Sequence, residues 1–297
     1  MADGRSLALR TVKTVAAMGD RVRPPANGIV VLIYHRVGGG SGSEVDLDPR
    51  AFDEQMAWLA ASGRALGLDA AVDLLAAANA RHAAGVGTDV GGDRGDLAGV
   101  APAAPDRDPI VVTFDDGTAD LAEVATPILE RHRVPATVYL ATRFVDDGVA
   151  FPDGGLPLTW AAARDMAATG LVTFGSHTHG HLLLDRLPPA QAADELVRSR
   201  GLVEDNLGTP AHHFAYPKAV AASAAVEPLV RAHYRSAALG GNRPNPYGRT
   251  DLHRLARTAV QVSDGGGFFV RKARGGMALE DSIRRAVNRV RYRAAVG

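Results

Sequence analysis

Two adjacent carboxylates, Asp115 and Asp116, follow a short apolar segment and precede Gly117. The segment, residues 110–114, is rich in β-branched side chains and predicts a buried strand. Carboxylates directly after a buried strand are costly, because burial disfavours their charge, and a bound cation would offset that cost. The pair could equally cap the next helix, with Gly117 forming the turn. This motif alone therefore leaves both a metal site and a helix cap open.

Three histidines lie within five residues after a second apolar segment, residues 171–174. His177 and His181 are four positions apart, a spacing at which two imidazoles on one helical turn can face the same ion. His179 then points elsewhere, and we expect it at the surface or at the substrate rim. One carboxylate and two imidazoles, with open positions for water, form the ligand set of a catalytic zinc-type site.

The two motifs together, TFDDG at 113–117 and SHTHGH at 176–181, resemble the polysaccharide deacetylase family, also called the NodB-homology or carbohydrate esterase 4 group. The segments IYHRV at 33–37 and FAYP at 214–217 match the family in the same order. The resemblance covers roughly residues 28–262. It implies an α/β fold, a distorted and incomplete (β/α) barrel of about seven strands. It also implies a metal-dependent hydrolase that removes acetyl groups from N-acetylated sugars.

The resemblance assigns roles to the residues of these motifs. It implies that Asp116, His177 and His181 bind one divalent metal ion, most simply zinc, although cobalt, nickel or iron suit the same ligands. Asp115 cannot easily bind the same ion through the same face, because it is the immediate neighbour of Asp116, and the resemblance implies that it is the general base. His35 follows an earlier predicted strand and is our candidate for the acid that protonates the leaving amine; it could instead bond a neighbouring loop.

The third motif departs from the family's R-x-P-[FY] pattern. Aligned on Pro217, its arginine position is an alanine and its aromatic position is Lys218. The backbone amide of Lys218 can still stabilise an oxyanion, and Tyr216 and Pro217 complete a predicted substrate-binding segment. FAYP resembles a variant branch of the family in which a later arginine follows, and this predicts that Arg257 pairs with Asp115. The family's late L-x-H motif has no clear counterpart.

Alternating strand and helix patterns must position these residues. Apolar, β-branched runs predict strands at 28–34, 110–114, 136–140, 171–174, 213–216 and 236–239. Helices are predicted from 49 onward and at 68–84, 119–132, 160–169, 188–207 and 221–233. The alternation indicates a parallel sheet that is closed or nearly closed into a barrel. Active-site residues of such barrels gather at the carboxyl ends of the strands.

The composition bounds the class of protein. The 297 residues are 46% apolar, which is ample for one large domain. A formal net charge of +0 argues against bulk attraction to nucleic acid. The chain has 0 Cys, which excludes disulfides and Cys-ligated metals. No apolar run approaches the roughly 18 residues of a membrane span, so the expected location is cytoplasmic, with contact at the inner membrane face as an option.

Three segments flank or interrupt the predicted deacetylase domain, residues 28–269. Residues 1–27 predict a helical extension that packs on the fold or lies on a membrane surface. Residues 85–108 lack periodicity and predict a disordered insertion. Residues 270–297 predict a basic C-terminal helical segment, whose arginines fit a solvated face, anionic lipid headgroups or a lipid-linked substrate. The apolar residues of the N-terminal helix spaced for one face are Leu7, Leu9, Val12, Val15 and Met18.

Two other functions compete with deacetylation of an N-acetylated glycan or lipid-linked precursor. An O-acetyl esterase, or a hydrolase of another amide, would keep the same site. A non-catalytic carbohydrate-binding barrel is mildly favoured by the missing arginine of the third motif and the missing late histidine. The intact Asp pair and His pair argue against the non-catalytic alternative, because a binding module has no need of three metal ligands.

Overall fold

The computed structural model describes residues 2–22, 24–85, 108–152 and 154–283. Residues 86–107 of the predicted insertion and the arginines beyond residue 283 lie outside these ranges. The strands are β1 (Val30–Tyr34), β2 (Arg36–Val37), β3 (Asp46–Leu47), β4 (Ile110–Phe114), β5 (Ala136–Leu140), β6 (Val172–Ser176), β7 (His213–Ala215), β8 (Ser236–Ala238) and β9 (Arg257–Ala259).

Seven parallel strands form the central sheet, in the spatial order β8-β7-β6-β5-β4-β1-β9. Its two outer strands approach each other through Leu255, just before β9. The N–H of Leu255 donates to the carbonyl of Ala237 at 2.9 Å, and its carbonyl accepts from the N–H of Leu239 at 2.8 Å. The sheet is therefore a nearly closed barrel, which confirms the predicted fold class and strand number.

Helices surround the barrel, as the alternating pattern predicts. The α-helices are α1 (Ala2–Val22), α2 (Pro49–Ser62), α3 (Leu68–Ala83), α4 (Thr126–His132), α5 (Thr142–Asp147), α6 (Trp160–Ala168), α7 (Pro189–Leu207), α8 (Glu227–His233) and α9 (Gly265–Ala273). A π-helical turn, Leu121–Ala125, precedes α4, and residues 278–283 are also helical. The predicted helix at 221–233 is shorter than expected, because only its second half is helical.

Local sequence explains the start and end of α2, the helix that covers β1 and β4. The side chain of Asp48 accepts hydrogen bonds from the backbone at its N-terminus, and Pro49 occupies the first turn. Gly63 ends the helix with a φ of 64°. The predicted inward residues, Phe52, Met56 and Leu59, are buried in the main core.

In its described part the N-terminal helix packs against α9 through a different side from the predicted one, while the side chains of Leu7 and Leu9 lie outside the described residues. Val15 and Met18 are 48% and 60% exposed, whereas Lys13, Ala16 and Ala17 are buried. Lys13 Nζ pairs with a carboxylate oxygen of a buried acid, Asp264, so the side of the helix that carries Lys13, Ala16 and Ala17 faces inward. The spacing of apolar residues predicted the opposite face, because that pattern does not indicate that a lysine is buried in an ion pair.

The start of the basic C-terminal segment is partly buried. Lys272 is 0% exposed, and its Nζ lies 2.8 Å from Asp264 and 3.3 Å from Glu280. Asp281 is also buried. The predicted boundary at residue 270 falls inside α9, and the segment is not one continuous helix, since residues 274–277 separate α9 from 278–283. The prediction of a solvated basic face is therefore wrong for Lys272.

None of the helices in the described part of the chain combines the length and the apolar character that a membrane crossing requires.

Candidate active site

The turn after β4 places the two adjacent carboxylates. The N–H of Asp115 donates to the carbonyl of Tyr34 at 3.0 Å, which continues the sheet by one residue. Asp116 and Gly117 then adopt left-handed conformations, with φ of 72° and 93°. A Cβ at position 117 would lie 2.4 Å from Leu140 Cδ2, so the turn requires glycine there. The positive φ of Asp116 is backbone strain of the kind that clusters at functional sites.

Asp116, His177 and His181 converge at the carboxyl ends of β4 and β6. Oδ1 of Asp116 lies 3.4 Å from Nε2 of His181 and 3.7 Å from Nε2 of His177. Each residue offers one ligand atom, and these atoms all lie within 4.8 Å of one another. Three donors at this spacing can be spanned by a single ion.

The orientation of both imidazoles suits metal binding. Nδ1 of His177 lies 2.7 Å from the carbonyl oxygen of Ala215, which can only accept, so Nδ1 donates and Nε2 is the ring nitrogen that faces the cluster. Burial, together with the neighbouring His177, lowers the pKa of His181 to about 4, so His181 is neutral near pH 7. Two imidazole nitrogens beside a carboxylate oxygen are a donor set for a cation. These residues therefore fit a divalent metal ion.

The segment that carries the two histidines is a loop, so the predicted helical turn is wrong. Thr178 and His181 have φ of 65° and 57°, and no helix includes them. The start of α5 supports the loop: the N–H of Thr142 donates to the carbonyl of Thr178 at 3.3 Å. The expectation for His179 is also wrong, because its side chain is 7% exposed and its Nδ1 lies 3.1 Å from Thr142 Oγ1.

Arg257 reaches Asp115 from β9. Its Nη1 donates to Oδ1 at 2.6 Å and its Nη2 to Oδ2 at 2.9 Å. Nη1 also donates to Thr113 Oγ1 at 3.2 Å, and the guanidinium lies 5.1 Å from the centroid of the Tyr139 ring. Burial by itself would raise the pKa of Asp115, but the guanidinium of Arg257, with a smaller contribution from His177, holds that pKa well below its usual range.

His35 lies beside Asp115 at the end of β1. The register pairs Tyr34 with Phe114, so the residues that follow each of them are neighbours. His35 contributes to the lowered pKa of Asp115. Its Nδ1 is buried, and no described residue forms a hydrogen bond with it. A ring nitrogen with unmet hydrogen-bonding capacity is thus next to the predicted base.

The predicted substrate segment at 216–218 divides into a buried and an exposed part. The side chain of Tyr216 is 1% exposed and packs edge-on against Phe214 at 5.0 Å in a separate core cluster. Burial raises the pKa of Tyr216 to about 12. Lys218 is exposed with a φ of 53°, and its charge contributes to the lowered pKa of His181. The Tyr216 ring is therefore packed in the core, whereas the charge of Lys218 acts on His181.

Sequence reasoning did not single out Glu195 of α7, which contacts the histidine loop. Its Oε2 accepts a hydrogen bond from the N–H of Gly180 at 2.6 Å. A signal was present in the sequence, because helical spacing places this one carboxylate on the buried face of α7. The buried residues of that face are Ala192, Glu195, Leu196, Ser199 and Val203.

Comparisons with known proteins relate the sequence and the fold to a family of enzymes. The sequence model of the polysaccharide deacetylase family matches residues 103–237. The curated protein YxkH of Bacillus subtilis (strain 168), which carries a provisional polysaccharide deacetylase name, is 22% identical over 187 residues. That alignment covers 63% of this chain and 55% of YxkH, so the chain spans about half the length of this relative.

Two solved structures share the fold. The deacetylase PplD of Streptococcus pyogenes, determined in complex with acetate, superposes with a TM-score of 0.64 at 19% identity, covering 84% of this chain and 99% of PplD. IcaB of Ammonifex degensii gives a TM-score of 0.64 at 22% identity, covering 84% of this chain and 98% of IcaB. At these identities the likeness establishes the barrel. Over residues 103–237 the chain is therefore similar to the polysaccharide deacetylase family.

Proposed function

We propose that this protein is a metal-dependent hydrolase that removes acetyl groups from N-acetylated sugars of a polysaccharide or a glycan precursor. One observation carries the proposal. A carboxylate held ionised by a buried arginine, Asp115, lies beside a cluster of three potential metal ligands. Hydrolysis of an amide requires an activated water, a polarised carbonyl and a protonated leaving amine, and this arrangement supplies groups for each requirement.

The metal ligands in this proposal are Asp116, His177 and His181. When bound, a divalent ion such as zinc polarises a carbonyl and lowers the pKa of a water molecule. The orientation of Nε2 of His177 and the neutral state of His181 near pH 7 support this assignment. The left-handed backbone at Asp116 turns its carboxylate toward the histidines, while its neighbour Asp115 bonds elsewhere.

Asp115 is the proposed general base. Its lowered pKa keeps it ionised at neutral pH, so it can accept a proton from the attacking water. Oδ2 of Asp115 lies 3.9 Å from Nε2 of His177, which places the base beside the ligand cluster. Arg257 fixes the carboxylate by two hydrogen bonds and thereby holds it in one orientation.

The remaining two roles go to His35 and Lys218. His35 is the proposed acid for the leaving amine, supported by its position beside Asp115 and by the unmet hydrogen-bonding capacity of its Nδ1. The backbone N–H of Lys218 is the proposed oxyanion donor; Lys218 lies in a left-handed turn, and its charge acts on His181. Pro217 begins this turn and limits its flexibility.

Peripheral contact with the inner face of an anionic membrane, and hence a cytoplasmic location, form part of the proposal. Val15, Met18, Leu279 and Ile283 are exposed apolar side chains, and Ile283 is followed in sequence by an arginine-rich stretch without acidic residues, 284–297. Co-sedimentation with vesicles of anionic and neutral lipids tests this contact. Binding to neither kind of vesicle would contradict it.

The experiment that tests the function measures acetate release by the metal-loaded protein. We expect release from an N-acetylglucosamine oligomer, and little from an O-acetylated xylan. Release from the O-acetylated substrate alone would favour the esterase. No release from either, by protein that retains stoichiometric metal, would contradict a deacetylase for these substrates. A protein that binds neither zinc nor cobalt would favour the non-catalytic barrel.

A further inference from the structure

The carboxylate of Glu195 forms a hydrogen bond with the backbone of the loop that carries His177 and His181. Glu195 is 9% exposed, and its Oε2 accepts from the N–H of Gly180 at 2.6 Å. Gly180 immediately precedes His181. Among the described residues, no lysine, arginine or histidine lies within ion-pair distance of Glu195. A buried carboxyl group is costly unless its oxygens have hydrogen-bond partners, and the N–H of Gly180 is such a partner.

The loop needs such an anchor because its backbone is strained. Thr178 and His181 both adopt left-handed conformations without being glycine, at φ of 65° and 57°. Each such residue costs of the order of 1 kcal/mol, and neither belongs to a helix or strand that would fix it. Without external contacts, the imidazole of His181 could sample positions that no longer face Asp116.

The helix α7 contacts the loop at a second point. Ser199 Oγ lies 2.6 Å from Ser176 Oγ, and Ser176 Oγ accepts from the N–H of Thr178 at 3.2 Å. Ser199 is one turn after Glu195, so one face of α7 contacts the loop on both sides of His177. Thr178 Oγ1 in turn accepts from the N–H of Leu182 at 3.2 Å. Glu195 is the ionisable residue among these contacts.

Packing at Gly180 shows how closely the carboxylate fits the loop. A Cβ at this position would lie 3.1 Å from Glu195 Oε1 and 3.3 Å from Leu182 Cγ. One carboxylate oxygen of Glu195 thus accepts from the N–H of Gly180, and the other lies where a side chain at position 180 would press against it. This arrangement leaves little freedom for the peptide that precedes His181.

We propose that Glu195 is a positioning residue for the metal site, which holds the loop of His177 and His181 in the ligand-competent conformation through the N–H of Gly180. The inference rests on the proposed metal site and adds to it a residue that touches neither metal nor substrate. Partners of this kind behind metal ligands typically change metal affinity by roughly 10- to 100-fold when they are removed.

The test measures the zinc dissociation constant of full-length protein by competition with a chromophoric chelator. We expect Glu195→Ala to weaken zinc binding by roughly 10- to 100-fold. Glu195→Gln keeps an oxygen acceptor and should stay within roughly threefold of the wild type. The matched control is Asp194→Ala, which removes the same charge from the adjacent, exposed position of α7 and should not change affinity. An unchanged affinity in Glu195→Ala would overturn the proposal.

Hydrogen exchange of the metal-free protein separates this proposal from the proposed function. We expect the amide of Gly180 to be protected in the wild type and in Glu195→Gln, and to exchange faster in Glu195→Ala. A wild type that binds no zinc would contradict the metal site and, with it, the positioning role. The two failures give different results. If the metal site is wrong, the wild type binds no zinc; if only the positioning role is wrong, the wild type and Glu195→Ala bind zinc with equal affinity. If Glu195→Ala fails to fold, weak zinc binding by Glu195→Gln with a protected Gly180 amide would also overturn the proposal.

Discussion

Arg257 and Asp115 are 142 positions apart in the sequence and form a two-pronged ion pair inside the barrel, with distances of 2.6 and 2.9 Å. Arg257 is 0% exposed and Asp115 is 5% exposed. Removing one partner of such a pair destabilises the protein, because the other partner then remains as an unpaired buried charge. The fold therefore depends on both partners being present together, and in the proposed mechanism the pair orients the base.

Arg257→Met should destabilise the protein by about 3–5 kcal/mol near neutral pH. In the wild type the pKa of Asp115 is lowered, so its ionised carboxylate contributes to the free energy of unfolding. This contribution is complete above the ordinary carboxyl pKa of about 4 and is lost as the pH falls through the lowered pKa. In the variant, burial acts without the guanidinium and pushes this pKa upward. The cost of the buried carboxylate is then relieved as acid protonates it, so the difference in stability should shrink as the pH falls.

Urea unfolding of both proteins at pH 7.5 and pH 4.5, after chelator treatment, measures this difference. Removing metal beforehand prevents acid release of the ion from contributing. The double variant Arg257→Met/Asp115→Asn is the control, because it replaces both charges and should recover part of the lost free energy at pH 7.5. A difference in stability that does not change with pH would show that Asp115 is not the affected group.

Asp115→Asn and His177→Ala should separate catalysis from metal binding. Asn retains the shape of the side chain but cannot accept a proton, so we expect turnover to fall by at least about 100-fold while zinc stays bound. His177→Ala removes one of the three proposed ligands and should lose both zinc and activity. Elemental analysis together with acetate release on one N-acetylated substrate makes the comparison. Near-normal turnover by Asp115→Asn would refute its assignment as the base.

Much of the barrel could be predicted from the sequence, because buried parallel strands are continuous apolar runs. The strands at 110–114 and 136–140 have the predicted bounds. β9 was missed because it is three residues long and is built around a buried arginine, which is not an apolar pattern. Arg257 was nevertheless predicted to pair with Asp115 from the resemblance alone, and the ion pair is present in the structure.

The site was harder to predict where side chains act on the backbone. The spacing of His177 and His181 indicated a helical turn, yet the same spacing is met by a loop with two left-handed residues. Positive φ at a threonine or a histidine leaves no signal in a single sequence. Glu195 shows the same limit, since its partner is a backbone N–H that no residue pattern reveals.

Lys13 should be required for the N-terminal helix to remain docked. Its Nζ pairs with Asp264 and lies 3.6 Å from Glu280, while Lys272 contacts the same two acids, so the buried cluster has two charges of each sign. Lys13→Met leaves one excess negative charge, and we expect a loss of about 3 kcal/mol of unfolding free energy. Val15→Ala, at an exposed position of the same helix, should change stability by less than about 0.5 kcal/mol.

The double variant Lys13→Met/Glu280→Gln tests whether charge balance is the cause. It restores one charge of each sign, so it should be more stable than Lys13→Met alone. The double-mutant cycle compares four proteins by denaturant unfolding: the wild type, Lys13→Met, Glu280→Gln and the double variant. If the two losses simply add, then packing of the Lys13 side chain, rather than its charge, is what holds the helix.

Lys218→Gly should retain activity if the backbone amide at this position is the oxyanion donor. Lys218 has φ of 53° and ψ of 19°, a conformation that costs a non-glycine residue about 1–2 kcal/mol. Glycine relieves that strain and keeps the N–H in place. Its more flexible unfolded chain lowers the free energy of unfolding by roughly 0.5–1 kcal/mol. We therefore expect little change in stability and no more than a few-fold change in kcat/KM.

Lys218→Arg distinguishes the amide from the ammonium group. If the positive charge of Lys218 binds the substrate, arginine should preserve kcat/KM while glycine lowers it mainly through KM. If the amide stabilises the oxyanion, both variants should turn over at similar rates, because neither alters the peptide group. A large fall in kcat for Lys218→Gly, with KM unchanged, would indicate that the side chain holds the turn in place, and the proposed donor would then depend on more than its backbone.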